Sequence, residues 1–244
     1  MENSKWKNIW INLRLVLILG LVIFLYAFTS NRNLNRKLIK SEVIFVGDNN
    51  NFIKQETVNK LLIENKSDVK TIQKMEVDLG ELEKSIDKHD MVQKSEVFLS
   101  VDGVLKAVVV QKTPIGRVFQ GDSSFYIDNE GNKMGLSTNY TARVPLISGE
   151  ITAKNKSKLS KLFKMIYNDE FLKKNIIGIQ ILPNEDLIMT NRNFDYQIEF
   201  GKTVNIEKKF KNYKAFFQKA ILDSTIAKYK KINLRFTQQV VCTK

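Results

Sequence analysis

From Ile9 to Phe28 the chain is apolar enough to cross a bilayer, and no later stretch is. Only Asn12 and Arg14 interrupt the run. Both lie near its start, where a long Arg side chain can carry its guanidinium back to the headgroups. A helix of about 20 residues, rising about 1.5 Å per residue, covers a hydrocarbon core of about 30 Å. Trp6 and Trp10 at one end and Tyr26 at the other occupy interfacial positions. The run therefore predicts a spanning helix whose anchoring residues are Trp10, Arg14, Leu17, Leu21, Phe24 and Tyr26. A cleaved secretory signal is the competing reading. Such signals have a shorter apolar core and small residues before the cut, and only Ala27 and Thr29 fit that pattern here. Lys5, Lys7 and Arg14 precede the core while Arg32, Arg36, Lys37 and Lys40 follow it, so charge bias alone does not orient the helix. A short N-terminal tail and a long C-terminal part give the expected order: 1–8 cytoplasmic, 9–28 in the membrane, 29–40 a basic linker, and the remainder outside.

The residues beyond the linker suffice for one large or two small domains. A single cysteine, Cys242, excludes an internal disulfide, so packing alone must hold them; an exported protein of this kind suits a bacterial periplasm. Charge is segregated. Residues 41–150 carry thirteen Lys/Arg against seventeen Asp/Glu, and residues 151–244 carry nineteen against eight. A basic chain invites a nucleic-acid reading, but an exported domain rarely meets one. Anionic lipid, an acidic partner or plain solvent are the remaining environments for the basic third.

Along the exported part, Glu42 to Gly47 is a β-branched and aromatic run stopped by glycine, which predicts a strand. A turn at Asp48–Asn51 follows. Ile53, Val58, Leu61 and Leu62 predict a helix over 53–64, and Val77, Leu79, Leu82 and Ile86 a second over 79–89. Val97, Leu99 and Val101 alternate up to Asp102-Gly103, a hairpin dipeptide, and Val104 to Gln111 returns. Strand, helix, helix, strand, strand makes one compact unit over 41–113. Beyond Pro114 short strands are predicted over 115–119, 124–127, 144–147, 176–182, 186–190 and 196–200, interrupted by helices over 154–172 and 206–222. The chain closes with a long alternating strand over 229–242. The fold class is α+β, with a β-rich second domain over 114–244 flanked by two helices.

Residues for chemistry are sparse. His89 is the only histidine, so His-based metal sites and Ser-His-Asp or Cys-His arrangements are excluded unless His89 serves. It falls at a helix end, where it is unremarkable. Cys242 fits a small apolar side chain on the last strand. The acid pairs Glu81/Glu83 and Glu185/Asp186 sit in charged surface stretches, whereas general acid–base work needs a buried carboxylate. Gly131 to Gly135 lacks the spacing of a phosphate loop. Aromatics among the lysines of 208–219 recur at helical spacing and read as a core stripe. No enzyme, cofactor, metal or small-molecule substrate is expected.

Several stretches, in order, resemble the FtsQ/DivIB bacterial cell-division proteins. Val46-Gly47 is similar to the close of that family's first strand. Val92–Val101, Asp102-Gly103, Leu105–Val110 and Thr113–Val118 resemble its "V…V…P…L…I.V.E..P.A" passage. Tyr126–Gly131 resembles its "ID..G" turn, Pro145–Gly149 its "LP.L.G" strand, and Ile232–Phe236 its closing "IDLRY". Gln111-Lys112, Gly116, Asn233 and Phe236 depart from the pattern. The resemblance implies a POTRA-like domain over 41–113 and a single-pass scaffold of the inner membrane, with its bulk periplasmic at the division septum. It also implies FtsB/FtsL-like coiled-coil partners at the end of the β domain. Independently, a long final strand with no successor can lie at a sheet edge and accept a partner strand. Lys230, Ile232, Leu234, Arg235, Phe236 and Gln238 are the expected contact residues, with Ile232, Leu234 and Phe236 inward and Arg235 and Lys230 available to an acidic partner. A wall-polymer enzyme and a POTRA adaptor for protein export are the alternatives.

Overall fold

The computed structural model describes residues 2–34, 36–47, 50–63 and 68–244. Asp48 and Asn49 of the expected turn, and Glu64 at the expected helix end, lie outside them. Glu2–Leu34 is one α-helix, α1. It overruns the apolar segment because no Pro or C-terminal Gly stops it, and the Thr29 hydroxyl donates back to the carbonyls of Leu25 and Tyr26. The stretch suited to spanning is Asn12–Arg32. Trp10, Arg14, Leu17, Leu21, Phe24 and Tyr26 are all exposed. By length and composition this helix can cross a membrane.

The chain divides into two compact units, one of Met1–Val46 with Lys54–Val110, the other of Gly47–Ile53 with Gln111–Lys244. In the first, β1 (Lys40–Val46), α2 (Gln55–Leu62), α3 (Leu79–Asp87), β2 (Val92–Leu99) and β3 (Val104–Gln111) follow in order. The sheet runs β1-β3-β2, with β1 and β3 parallel from Lys40↔Val104 to Val46↔Val110. Period-2 alternation buries Leu105, Ala107 and Val109, and the helices set Val58, Leu62, Leu82 and Ile86 among the buried residues. Asp78 caps α3 by accepting the Glu81 N–H at 3.1 Å. The Asp102-Gly103 turn forms as read, with Gly103 at φ +84°.

The helix expected from Ile53 starts instead at Gln55. Gln111 explains the shift. Its buried Oε1 accepts the N–H groups of Phe52 (2.9 Å) and Ile53 (3.3 Å), and its amide donates to the Ile53 carbonyl. These residues are thereby held extended within the second unit, where the Phe52 ring meets Tyr126 and Tyr140.

The second unit is a nine-stranded mixed sheet. Its strands are β4 (Pro114–Gln120), β5 (Ser123–Asp128), β6 (Lys133–Met134), β7 (Leu146–Ser148), β8 (Ile176–Ile181), β9 (Leu187–Asn191), β10 (Gln197–Gly201), β11 (Lys231–Asn233) and β12 (Val241–Thr243). They lie in the order β12-β11-β10-β9-β8-β7-β4-β5-β6. The parallel pairs β7·β8 and β10·β11 need crossovers, supplied by α4 (Ala153–Asn168) with α5 (Glu170–Asn175), and by α6 (Ile206–Leu222). Leu159, Leu162, Phe163 and Ile166 of α4 and Phe210 and Tyr213 of α6 join Ile179, Met189, Ile198 and Ile232 in one core.

The single helix expected over 154–172 is two. Asp169 breaks it by adopting extended backbone (φ −106°, ψ 114°) and capping α5 through the Leu172 N–H at 3.0 Å. Its other oxygen pairs with Lys214 of α6. Burial would raise the Asp169 pKa, but Lys214 and the Leu172 and Phe171 N–H groups outweigh it and hold the carboxyl below its ordinary value. Asp169→Ala should therefore cost about 1–2 kcal/mol from the lost cap and half-screened pair. A depressed carboxyl stabilises above its unfolded pKa and is lost as pH falls through its folded one. Thermal melts of wild type and variant should differ at neutral pH and converge in acid.

Candidate partner-binding edge

The final segment is not one long strand. β11 and β12 are each three residues and pair antiparallel, Lys231↔Thr243 to Asn233↔Val241, with residues 234–240 reversing between them. Side-chain chemistry stops the strand. The Asn233 Oδ1 accepts the Arg235 N–H at 2.9 Å, taking it from the ladder, and the Thr237 carbonyl accepts from Asn212 of α6 at 3.0 Å.

β11 is enclosed, parallel to β10 on one side and beside β12 on the other. The Lys230 carbonyl accepts the Gln197 N–H, and the Leu234 N–H donates to the Glu199 carbonyl, both 2.9 Å. Ile232 and Leu234 are buried as read. Phe236 is not; it is 53% exposed, on the reversal rather than on a strand. Gln238 is exposed there too, and Lys230 is exposed just ahead of β11. Arg235 is already engaged: its guanidinium lies 3.2 Å from the Asp186 carboxylate. The residues predicted as a partner edge thus fall on an inner strand and a turn.

The border of the sheet is β12. Backbone parity settles which groups it presents. The Lys230 carbonyl and the Leu234 N–H bond toward β10, so Ile232 between them does too; Lys231 and Asn233 then face β12, to which the Lys230 N–H also turns, donating to the Thr243 carbonyl at 2.8 Å. Their partners Thr243 and Val241 face back, leaving the Cys242 N–H and C=O directed away from the sheet. The Cys242 side chain is half-buried against the core, and burial pushes its thiol pKa up, so it stays protonated.

Other borders are managed differently. On β2 the N–H groups of Ser95 and Val97 donate to Asp87 and Glu83 of α3, each at 2.7 Å. On β1 the Val43 carbonyl accepts from Gln55 at 3.2 Å. β6 is two residues long.

Behind the border sits a charged cluster that the sequence reading missed. Lys209 is 1% exposed, and its ammonium donates to the carbonyls of Phe200 and Lys202, both at 2.8 Å. Burial lowers its pKa; Asp186 pulls it back up and Arg235 pushes it down. Arg235 reaches Asp186 by passing over Gly201, whose φ is +70° and where a Cβ would stand 2.8 Å from the Arg235 Cγ. One signal was legible: Lys209 interrupts the apolar stripe of Ile206, Phe210 and Tyr213 at helical spacing. Nearby, Tyr213 and Tyr196 share a hydroxyl contact at 2.8 Å, and Asn191 donates to Tyr213 at 3.0 Å. Burial raises both phenol pKa values. His89 accepts the Met91 N–H on Nδ1, and burial lowers its pKa. Among the described residues no three His, Cys, Asp or Glu side chains cluster to hold a metal.

With this geometry in hand, the family model "FtsQ/DivIB, C-terminal related" matches residues 113–243, more than half the chain. The chain belongs to this family. Membership in the FtsQ/DivIB group implies a cell-division scaffold of generally non-enzymatic type that interacts with other division proteins. With α1, it makes the chain a single-pass membrane protein with an external domain. Among solved structures, the chain is similar to the major extracytoplasmic domain of the trans isomer of the cell-division protein DivIB from Geobacillus stearothermophilus. That likeness has 11% identity and a TM-score of 0.30, and covers 47% of this chain and 97% of the other. No curated protein matches the chain in sequence.

Asp186→Ala removes the carboxylate between two cations and should cost about 1–3 kcal/mol. Arg235→Ala, with its head half in water, should cost less than about 1 kcal/mol. The double variant should match Asp186→Ala alone in denaturant unfolding. Additive losses would show that the two side chains act independently.

Proposed function

We propose that the chain is a bitopic, non-enzymatic scaffold of the division machinery at the septum. The first unit is a POTRA-like recruitment module, α1 is its anchor in inner-membrane lipid, and β12 accepts a strand from a partner. Coiled-coil subunits of the FtsB/FtsL kind are the proposed partners. One observation carries the reading: the terminal strand of the nine-stranded sheet pairs on one side only, with the Cys242 N–H and C=O turned outward. Backbone groups at such a border supply affinity, and exposed Val241 and Phe236 offer apolar contacts that discriminate between partners. Family membership points to division proteins as the class of partner.

Cys242→Pro deletes the outward N–H while leaving the bonds from β12 to β11. It should reduce co-purification of division partners with the full-length protein by roughly tenfold, at little change in melting temperature. Undiminished capture by a folded variant would remove β12 from the mechanism. A fluorescent fusion should concentrate at mid-cell, and uniform envelope fluorescence would count against the division role itself.

A further inference from the structure

The charge segregation visible in the sequence becomes a surface in the second unit. On α4, Lys154, Lys158, Lys161 and Lys164 share the stripe opposite buried Leu159, Leu162 and Ile166, and all four are exposed. The stripe is about 15 Å long at about 1.5 Å per residue. No acidic residue occurs in α4. Glu207 lies 3.8 Å from Lys161 with both side chains in water, a pair that neutralises little. Lys158, Lys161 and Lys208, with Glu207, line an open concavity of about 410 Å³.

The loop that lines that concavity also carries an exposed apolar residue. Val204 is 55% exposed between Thr203 and Asn205, which line the hollow. Its loop is fixed: the Val204 N–H donates to the Lys202 carbonyl at 2.8 Å, and buried Lys209 donates to that same carbonyl. An apolar tip held rigidly beside a lysine-rich stripe is a poor design for a soluble face. It suits an interface whose outer layer is anionic and whose next layer is hydrocarbon.

We propose that this lysine stripe, with Val204 at its edge, is a peripheral docking face for anionic lipid headgroups. The occupant is argued from charge complementarity and from α1, which ties the chain to a bilayer and raises the local concentration of that surface. Lysines occur throughout the exported part, but the excess of base over acid lies in residues 151–244, nineteen against eight, while residues 41–150 carry a net acidic balance. The proposal is independent of strand addition at β12.

The test uses the full-length chain reconstituted in vesicles, with Cys242→Ser and Ser157→Cys so that one fluorophore sits beside the stripe. A second preparation carries the label at Ser123, on the exposed β4–β5 turn. Nitroxide headgroup lipid serves as quencher. Quenching at position 157 should be roughly tenfold stronger in phosphatidylglycerol-containing vesicles than in phosphatidylcholine alone, and stronger than at position 123. It should fall to the neutral-vesicle value in high salt and in the triple variant Lys154→Glu, Lys158→Glu, Lys164→Glu, whose exposed positions leave the melting temperature unchanged. Val204→Ser should weaken quenching less than the triple reversal. Equal quenching in the two vesicle types, or quenching untouched by charge reversal in a folded protein, would overturn the proposal. So would poly-glutamate displacing the stripe from anionic vesicles at concentrations where inorganic phosphate does not, which would make the face one for acidic protein.

Discussion

Lys209 lies in the core of the second unit with its ammonium on the carbonyls of Phe200 and Lys202. A lysine placed there without partners would be heavily penalised, because removing a charge from water costs several kcal/mol. Its two acceptors are the end of β10 and the loop that follows, so the bond fixes the turn from strand to helix. The same loop positions Gly201, over which Arg235 crosses to Asp186. Arg235 in turn begins the reversal that brings β12 back beside β11. Loop, crossover helix and terminal hairpin are therefore linked through one buried cation. Its lowered pKa follows from that location, burial being the largest influence.

Much of this architecture was readable from periodicity. Ile206–Leu222 is helical over the range that its apolar stripe predicts, and β4, β5, β8, β9 and β10 fall within a residue or two of their alternating runs. The failures share one physical origin. Side chains that bond to backbone, whether near or far along the chain, leave no trace in apolar periodicity. Gln111 keeps Ile53 out of the expected helix from 58 residues away along the chain. Asp169 splits a helix with continuous apolar spacing by capping its second half. Asn233 and Arg235 end a strand whose alternation runs on unbroken. The candidate edge suffered most, since alternation over 229–242 fits one long strand and a hairpin of two short ones equally well. Arg235 looked available because its acceptor, Asp186, lies 49 positions earlier in sequence and beside it in space.

The treatment of sheet borders then limits how this protein can bind. An unpaired strand attracts any extended chain, so stable proteins cover, shorten or charge their edges. Here α3 seals β2 with two carboxylates, α2 places an amide on β1, and β6 is reduced to two residues. β12 is three residues long, with one residue turning both backbone groups outward. At about 0.5–1.5 kcal/mol net per hydrogen bond, such an edge alone gives only weak association. Weakness in solution is tolerable for a protein held in a membrane. On the proposed reading, partners anchored in the same bilayer would meet it at a raised effective concentration, and a few backbone bonds with contacts to Val241 and Phe236 would then suffice to select among them. A short edge on an anchored domain would thus reconcile two opposing needs, keeping stray strands away while admitting the proposed partner delivered by its own anchor.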